Sequence, residues 1–324
     1  MLQVQTVTGP VDTAALGQVL MHEHVFVLTP DVQQNYPEEW GSEDDRVSDA
    51  VAKLTALAAT GVSTIVDPTV IGLGRYLPWV QRVAEQVELQ IVAATGLYTY
   101  NDVPFFFHYR GLLFDTDPDP MVTFFVKDIT EGIAETGVKA GIIKCATDAD
   151  GLTPGVERVL RACARTHRET GVPITTHTDA GSFRGRDQQR VLAEEGVDLS
   201  RVVIGHSGDS QDLDYLRELM DKGSMIGMDR FGIDVYLPTS DRVQVVADLC
   251  AQGYADRMVL AHDAACYMDW FTPELIETMT PNWHFNHISD DVLPALLDRG
   301  VTQDQIDQML VGNPRRLFEM AGAY

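Results

Sequence analysis

The sequence predicts an α/β fold, a (β/α)8 TIM barrel occupying residues 1–324 as one domain. Three observations predict it: eight short apolar, β-branched runs, segments of helical period between them, and a repeated junction phrase. The runs lie at 17–28, 62–70, 89–98, 140–147, 172–178, 201–207, 224–232 and 257–266. Helical period recurs at 45–60, 120–136, 153–170, 186–195, 210–222 and 240–252. The phrases ATGVSTIVD, ETGVKAGIIK, ETGVPITTH and EEGVDLSRVVIGH share one grammar. A helix ends at glycine, where left-handed backbone costs little, and a Val-led strand follows. An open doubly wound sheet would carry a glycine-rich phosphate loop after its first strand; here polar TPDVQQNYPEEWGSEDD stands there instead. Asn313 and Pro314 predict a terminal helix, with Asn313 as N-cap and Pro314 at its first position. The irregular stretches 97–119 and 264–291 both follow predicted strands, which places them on the catalytic rim of a barrel.

Composition narrows the function classes. Lys and Arg number 24 against 48 Asp and Glu, a formal net charge of −24. That excess of acid excludes a phosphate backbone or an anionic membrane as the expected partner. No apolar run reaches the length of a membrane span, and the first thirty residues lack the basic and apolar regions of a signal peptide. Cys145, Cys163, Cys250 and Cys266 show no CxxC spacing. The expectation is a cytoplasmic protein with reduced thiols.

The chemistry is written at the C-terminal ends of the runs. The first ends in His22 and His24, the fourth in Lys144, the fifth in His177, the sixth in His206 and the eighth in Asp263. Residues i and i+2 of a strand share a face, so both imidazoles of His-Glu-His point inward and Glu23 points out. Imidazole and carboxylate are good ligands for zinc-like cations. A lone strand-end histidine is usually a hydrogen-bonded structural residue, Lys144 could snorkel at the rim, and Asp263 could cap a helix. The joint order HxH, K, H, H, D points to a metal site. His108, His167, His262, His284 and His287 fit no ligand slot and read as structural or surface residues.

These phrases, together with GVSTIVDPT, ATGLYTYNDVPFFF, GIIKCATD, PITTHTDAG, VVIGHSGD, IGMDRFG, LAHDAACYMDW and NPRRLF, resemble the phosphotriesterase family of the amidohydrolase superfamily nearly end to end. Within it the sequence is most similar to the phosphotriesterase-like lactonases. The resemblance implies two divalent cations, zinc foremost with cobalt, iron or manganese as alternatives, and CO2 to carboxylate Lys144. His22, His24 and Asp263 would hold the buried cation, His177 and His206 the exposed one, and the N6-carboxylated Lys144 would bridge them. It implies a small-molecule lactone as substrate, an N-acyl-homoserine lactone or a relative, and a homodimer. Hydroxide would attack the lactone carbon and Asp263 would carry its proton to the departing alkoxide. Weak phosphotriester hydrolysis would accompany it. A true phosphotriesterase, and a non-catalytic metal-stabilised barrel binding an apolar ligand, are the competing readings.

Tyr98 ends the third run, where the lactonases carry a tyrosine, and is expected at the metal centre. Arg230 stands where the phosphotriesterases proper have histidine, and is expected to orient substrate or join a proton path from Asp263 towards Asp209. Cys266, Tyr267, Trp270, Phe271, Met279, Trp283 and Phe285 predict an apolar lid over an acyl chain, with Tyr100, Phe105, Phe106 and Phe107 as the facing wall. Two departures, Asp179 after the His-Thr pair and Ala265 in place of a frequent cysteine, put substrate preference in doubt rather than the ligand set.

Overall fold

The computed structural model describes residues 2–112, 118–319 and 322–324, so part of the irregular stretch 97–119 lies outside the described residues. The barrel strands are β1 (Gln18–Leu20), β2 (Val62–Asp67), β3 (Gln90–Gly96), β4 (Ile142–Thr147), β5 (Ile174–Thr178), β6 (Val202–Ile204), β7 (Met225–Met228) and β8 (Met258–Leu260). They neighbour one another in chain order and every adjacent pair in the sheet is parallel.

Alternation along each strand divides the apolar residues into two layers. Val19, Val66, Val92, Ile142, Met225 and Val259 pack together inside the barrel. Their neighbours Leu20, Ile65, Ile91, Ile143, Ile226 and Leu260 pack outward in the second cluster with the surrounding helices. Lys144 stands two residues beyond inward Ile142, and so inherits its inward face.

The helices follow their own signals. Pro154–Thr170 begins where the Thr153 hydroxyl accepts from the Val156 N–H (3.2 Å), and ends at Gly171 with φ 75°. The helix Leu77–Ala84 was not expected from periodicity, and the segment read as helical to 136 leaves the helix at Thr130. An antiparallel hairpin, Gln3–Thr6 with Gly9–Asp12, was also unexpected; its Val4 joins the interior cluster. The terminal helix corrects the reading of Asn313. The chain is already helical from Gln303, passes through a wider turn at Gln308–Gly312, and continues as Asn313–Glu319. Asn313 has φ −70° and ψ −48°, and its buried amide donates to the carbonyls of Ala255 (2.8 Å) and Met258 (2.6 Å). It ties the helix to the barrel floor rather than capping it.

The first and eighth runs each break in the middle. Beyond β1 the chain bends through Met21, His22 and Glu23 and resumes as the strand His24–Val27; beyond β8 it resumes as Ala265–Met268. These upper segments pair in parallel, with Ala265 opposite His24. Between them the Asp263 N–H donates to the His22 carbonyl (3.0 Å) and the His24 N–H to that of Ala264 (2.8 Å). The seam of the barrel is therefore bridged at the level of the predicted ligands.

Candidate active site

His22, His24, Lys144, His177, His206 and Asp263 all line one cavity of about 590 Å³ at the C-terminal ends of the strands. Each imidazole has a polar group behind it. Asp229 takes the His206 backbone N–H (2.7 Å), meets its Nδ1 at 3.0 Å, and lies 3.3 Å from His22 Nδ1. His24 Nδ1 meets the Thr69 hydroxyl at 2.7 Å, and that hydroxyl donates to Asp67. With these Nδ1 atoms turned outward, the Nε2 atoms of His22, His24 and His206 face the cavity. There His24 Nε2 and His22 Nε2 lie 3.2 and 3.4 Å from Asp263 Oδ1, and His206 Nε2 lies 3.7 Å from Oδ2. His177 is reversed: its Nε2 meets Asp148 at 2.8 Å and its Nδ1 faces the Tyr98 hydroxyl at 3.3 Å.

Two of these residues take unusual backbone. His206 and Asp263 both have φ 57°, left-handed conformations that non-glycine residues rarely adopt. At each position the twist swings a side chain off the end of its strand and into the cavity. Gly96 ends β3 opposite Lys144, and a Cβ there would stand 1.9 Å from the Lys144 carbonyl oxygen. Glycine thus lets β3 and β4 approach where the lysine enters the site.

The electrostatics follow from burial. Lys144 is 1% exposed, and burial brings its ammonium down to about 8. Its Nζ donates to His22 Nε2 at 3.0 Å. Burial lowers His177 to about 4. Burial alone would lower His24, but bonds to Asp263 and Asp67 carry it up to about 9. Burial opposes ionisation of Asp263, yet the charges of His206, His22 and Arg230 hold it well below the usual carboxylate range. His22, His24 and Asp263 bring ligand atoms within 4.8 Å of one another, a group able to hold a cation. His22 and His206 also cluster with Asp229, but through nitrogens that face this carboxylate from outside the cavity.

Arg230 Nε donates to Asp263 (3.0 Å) and its Nη1 to Asp209 (2.9 Å), with Arg242 2.6 Å from the other Asp209 oxygen. The expected proton path towards Asp209 does not run through this residue, because a guanidinium keeps its proton. Tyr98 and Tyr100 line the cavity and their hydroxyls bond each other; burial keeps the Tyr98 phenol protonated. Trp270, Phe271, Met279 and Trp283 line it too.

Several expected residues lie elsewhere. Cys266 is not part of the lining: its thiol is buried in the outer core and its carbonyl accepts from Lys53 (2.7 Å). The short strand Ala265–Met268 does not alternate strictly: Ala265 and Met268 pack with the interior cluster and Met268 lines the cavity, while the adjacent Cys266 and Tyr267 both pack outward. Tyr267 stacks under Arg46, and Phe285 is core. Phe105, Phe106 and Phe107 form no facing wall; Phe107 is buried, and Phe105 and Phe106 face solvent. That wall is Ile233, Val235 and Tyr236, after β7. Neither Asp179 nor Ala265 lines the cavity. The orienting carboxylates Asp67, Asp148 and Asp229 were missed. The available signal was an acid at the end of three barrel strands.

The sequence pattern of the Phosphotriesterase family matches residues 2–318. The chain belongs to the phosphotriesterase family. It is a metal-dependent hydrolase. A solved phosphotriesterase from Mycobacterium tuberculosis superposes with a TM-score of 0.98 at 61% identity, covering 99% of this chain and 100% of that one. An aryldialkylphosphatase from Saccharolobus solfataricus is 39% identical over 95% of this chain and 96% of its own. A mutant phosphotriesterase-like lactonase from Deinococcus radiodurans superposes with a TM-score of 0.90 at 38% identity, covering 97% and 99%. Among the described residues no helix is long and apolar enough to cross a membrane.

Proposed function

We propose that the chain is a binuclear lactonase acting on N-acyl-homoserine lactones or related lactones, with weak phosphotriesterase activity beside it. The observation that carries this reading is the contrast within one cavity. Its floor is the histidine, lysine and aspartate ring, and its walls are Leu275, Ile276, Met279, Trp283, Ile233 and Val235. A polar lactone head with an apolar tail matches that contrast.

The donor set fits two divalent cations. His22, His24 and Asp263 would hold one, His177 and His206 the other, with zinc first and cobalt, iron or manganese as alternatives. Bound there, the cations would lower the pKa of water and polarise the acyl oxygen. An ammonium would repel them. A neutral Lys144 amine attacking CO2 forms an N–C bond and releases one proton, leaving a carbamate whose two oxygens can bridge. A depressed lysine pKa favours the neutral amine that this step needs.

Asp263 accepts the proton of the attacking water and returns it to the ring alkoxide. Arg230 holds Asp263 ionised and aimed. The Tyr98 hydroxyl, protonated and directed into the cavity, donates to the lactone head. Tyr100 and Trp270 confine the substrate from the rim. The same reading takes the protein as a cytoplasmic homodimer. A hydrolysis screen across lactones of rising acyl length, with one aryl phosphotriester beside them, tests it. Lactone turnover exceeding phosphotriester turnover is the expected result. The reverse order would favour a true phosphotriesterase, a reading supported by the 39% identity to an aryldialkylphosphatase.

A further inference from the structure

We infer that Glu23 and His262 are positioning residues that hold Asp263 in its inward pose and tie that pose to the apolar wall of the cavity. The inference rests on the reading of Asp263 as ligand and proton carrier.

Glu23 is fully buried at the seam. Its carboxylate accepts the His262 backbone N–H (2.8 Å), the His262 Nδ1–H (2.7 Å) and the Ala264 N–H (3.0 Å). Those backbone donors flank Asp263 on both sides. A left-handed aspartate persists only where its surroundings over-determine it, and one carboxylate from the opposite side of the seam holds the backbone N–H of the residue on each side of it. His262 has a second arm. Its Nε2 accepts the Ile288 N–H (2.9 Å) and its carbonyl accepts the Trp283 indole N–H (3.0 Å). Donation from Nδ1 and acceptance at Nε2 require the neutral Nδ1–H tautomer. Trp283 lines the cavity. A substrate that seats the wall therefore also seats His262, one residue from Asp263.

Two conservative variants separate the arms. In His262→Asn the amide nitrogen sits near the place of Nδ1, keeping the bond to Glu23 and losing the acceptor for Ile288. In His262→Gln the amide oxygen reaches the place of Nε2, keeping Ile288 and losing Glu23. Glu23→Gln breaks the clamp directly. The full chain is reconstituted with cobalt, and metal content, the cobalt visible spectrum, circular dichroism, kcat and KM are measured. His262→Asn is expected to keep the wild-type cobalt content and spectrum, with KM for a long-chain lactone raised roughly fivefold or more. Glu23→Gln and His262→Gln are expected to keep the wild-type circular dichroism, to change the cobalt spectrum, and to lose about 10–100-fold in metal affinity or kcat. Three variants with wild-type cobalt spectra and content would overturn the inference. So would an equal loss in all three across every readout, the mark of a merely structural pair. Should His262→Asn fail to fold, Glu23→Gln and His262→Gln still decide on the cobalt spectrum. The spectrum needs no substrate, so a wild type inactive on lactones would sink the proposed function and leave this comparison standing.

Discussion

At the scale of single residues, Asp263 invites a substitution that separates its two proposed roles. Asparagine tolerates left-handed backbone, so Asp263→Asn adds no strain at φ 57°. It keeps one oxygen ligand and loses basicity. We expect the variant to retain a substantial part of its metal while kcat on an unactivated lactone falls about 10²–10⁴-fold. The loss should be smaller on an ester with an activated leaving group, with metal measured in the same preparation. Near wild-type lactone turnover in a fully metallated variant would leave Asp263 as a ligand only. Lys144→Ala should abolish most activity, and short carboxylates added to the assay should restore part of it; crystal density for a bare ammonium beside two bound cations would refute the carbamate. The ligand letters were legible because each is a polar residue ending an apolar run. Asp67, Asp148 and Asp229 were not, because an acid at a strand end has the same appearance whether it is solvated or locked behind a histidine.

At the scale of elements, β3 and β4 depend on Gly96. Its φ of 137° and the 1.9 Å approach to the Lys144 carbonyl leave no room for a methyl group. Gly96→Ala should destabilise the protein by at least about 2 kcal/mol and lower activity further by moving Lys144, read by thermal melts and metal content together. Alternation made the strands legible, and it misled only where a run was not one strand. Residues 17–28 look continuous, yet the chain bends at His22 and Glu23, where the His22 carbonyl takes the Asp263 N–H and the Glu23 N–H turns to Val66. The wall segment was legible as apolar, but its inward face was not: Met268 and Trp270 enter the cavity and Cys266 does not. Catalytic efficiency should rise with acyl length, by up to about 0.8 kcal/mol per buried methylene. Trp270→Ala should flatten that rise, and a flat wild-type series would remove the acyl-site reading.

At the scale of the whole molecule, the bridged seam and the cation site share residues, so cations and global stability are linked. With free cation a hundred times above Kd, the bound state gains about 2.7 kcal/mol over the stripped one. Chelation at constant ionic strength should therefore lower the thermal midpoint, and restoring one cation at a time should raise it in steps. A midpoint indifferent to chelation would mean that the ring of ligands contributes nothing to closure.

The seam also imposes an order on biosynthesis. Glu23 and its partner His262 are 239 positions apart, so a ribosome releases one edge of the site long before the other. Until the last strand emerges, His22 and His24 have no Asp263 to close against. Non-local closure of this kind is slow. A cation held jointly by His22, His24 and Asp263 would therefore have to bind after the two ends of the barrel meet.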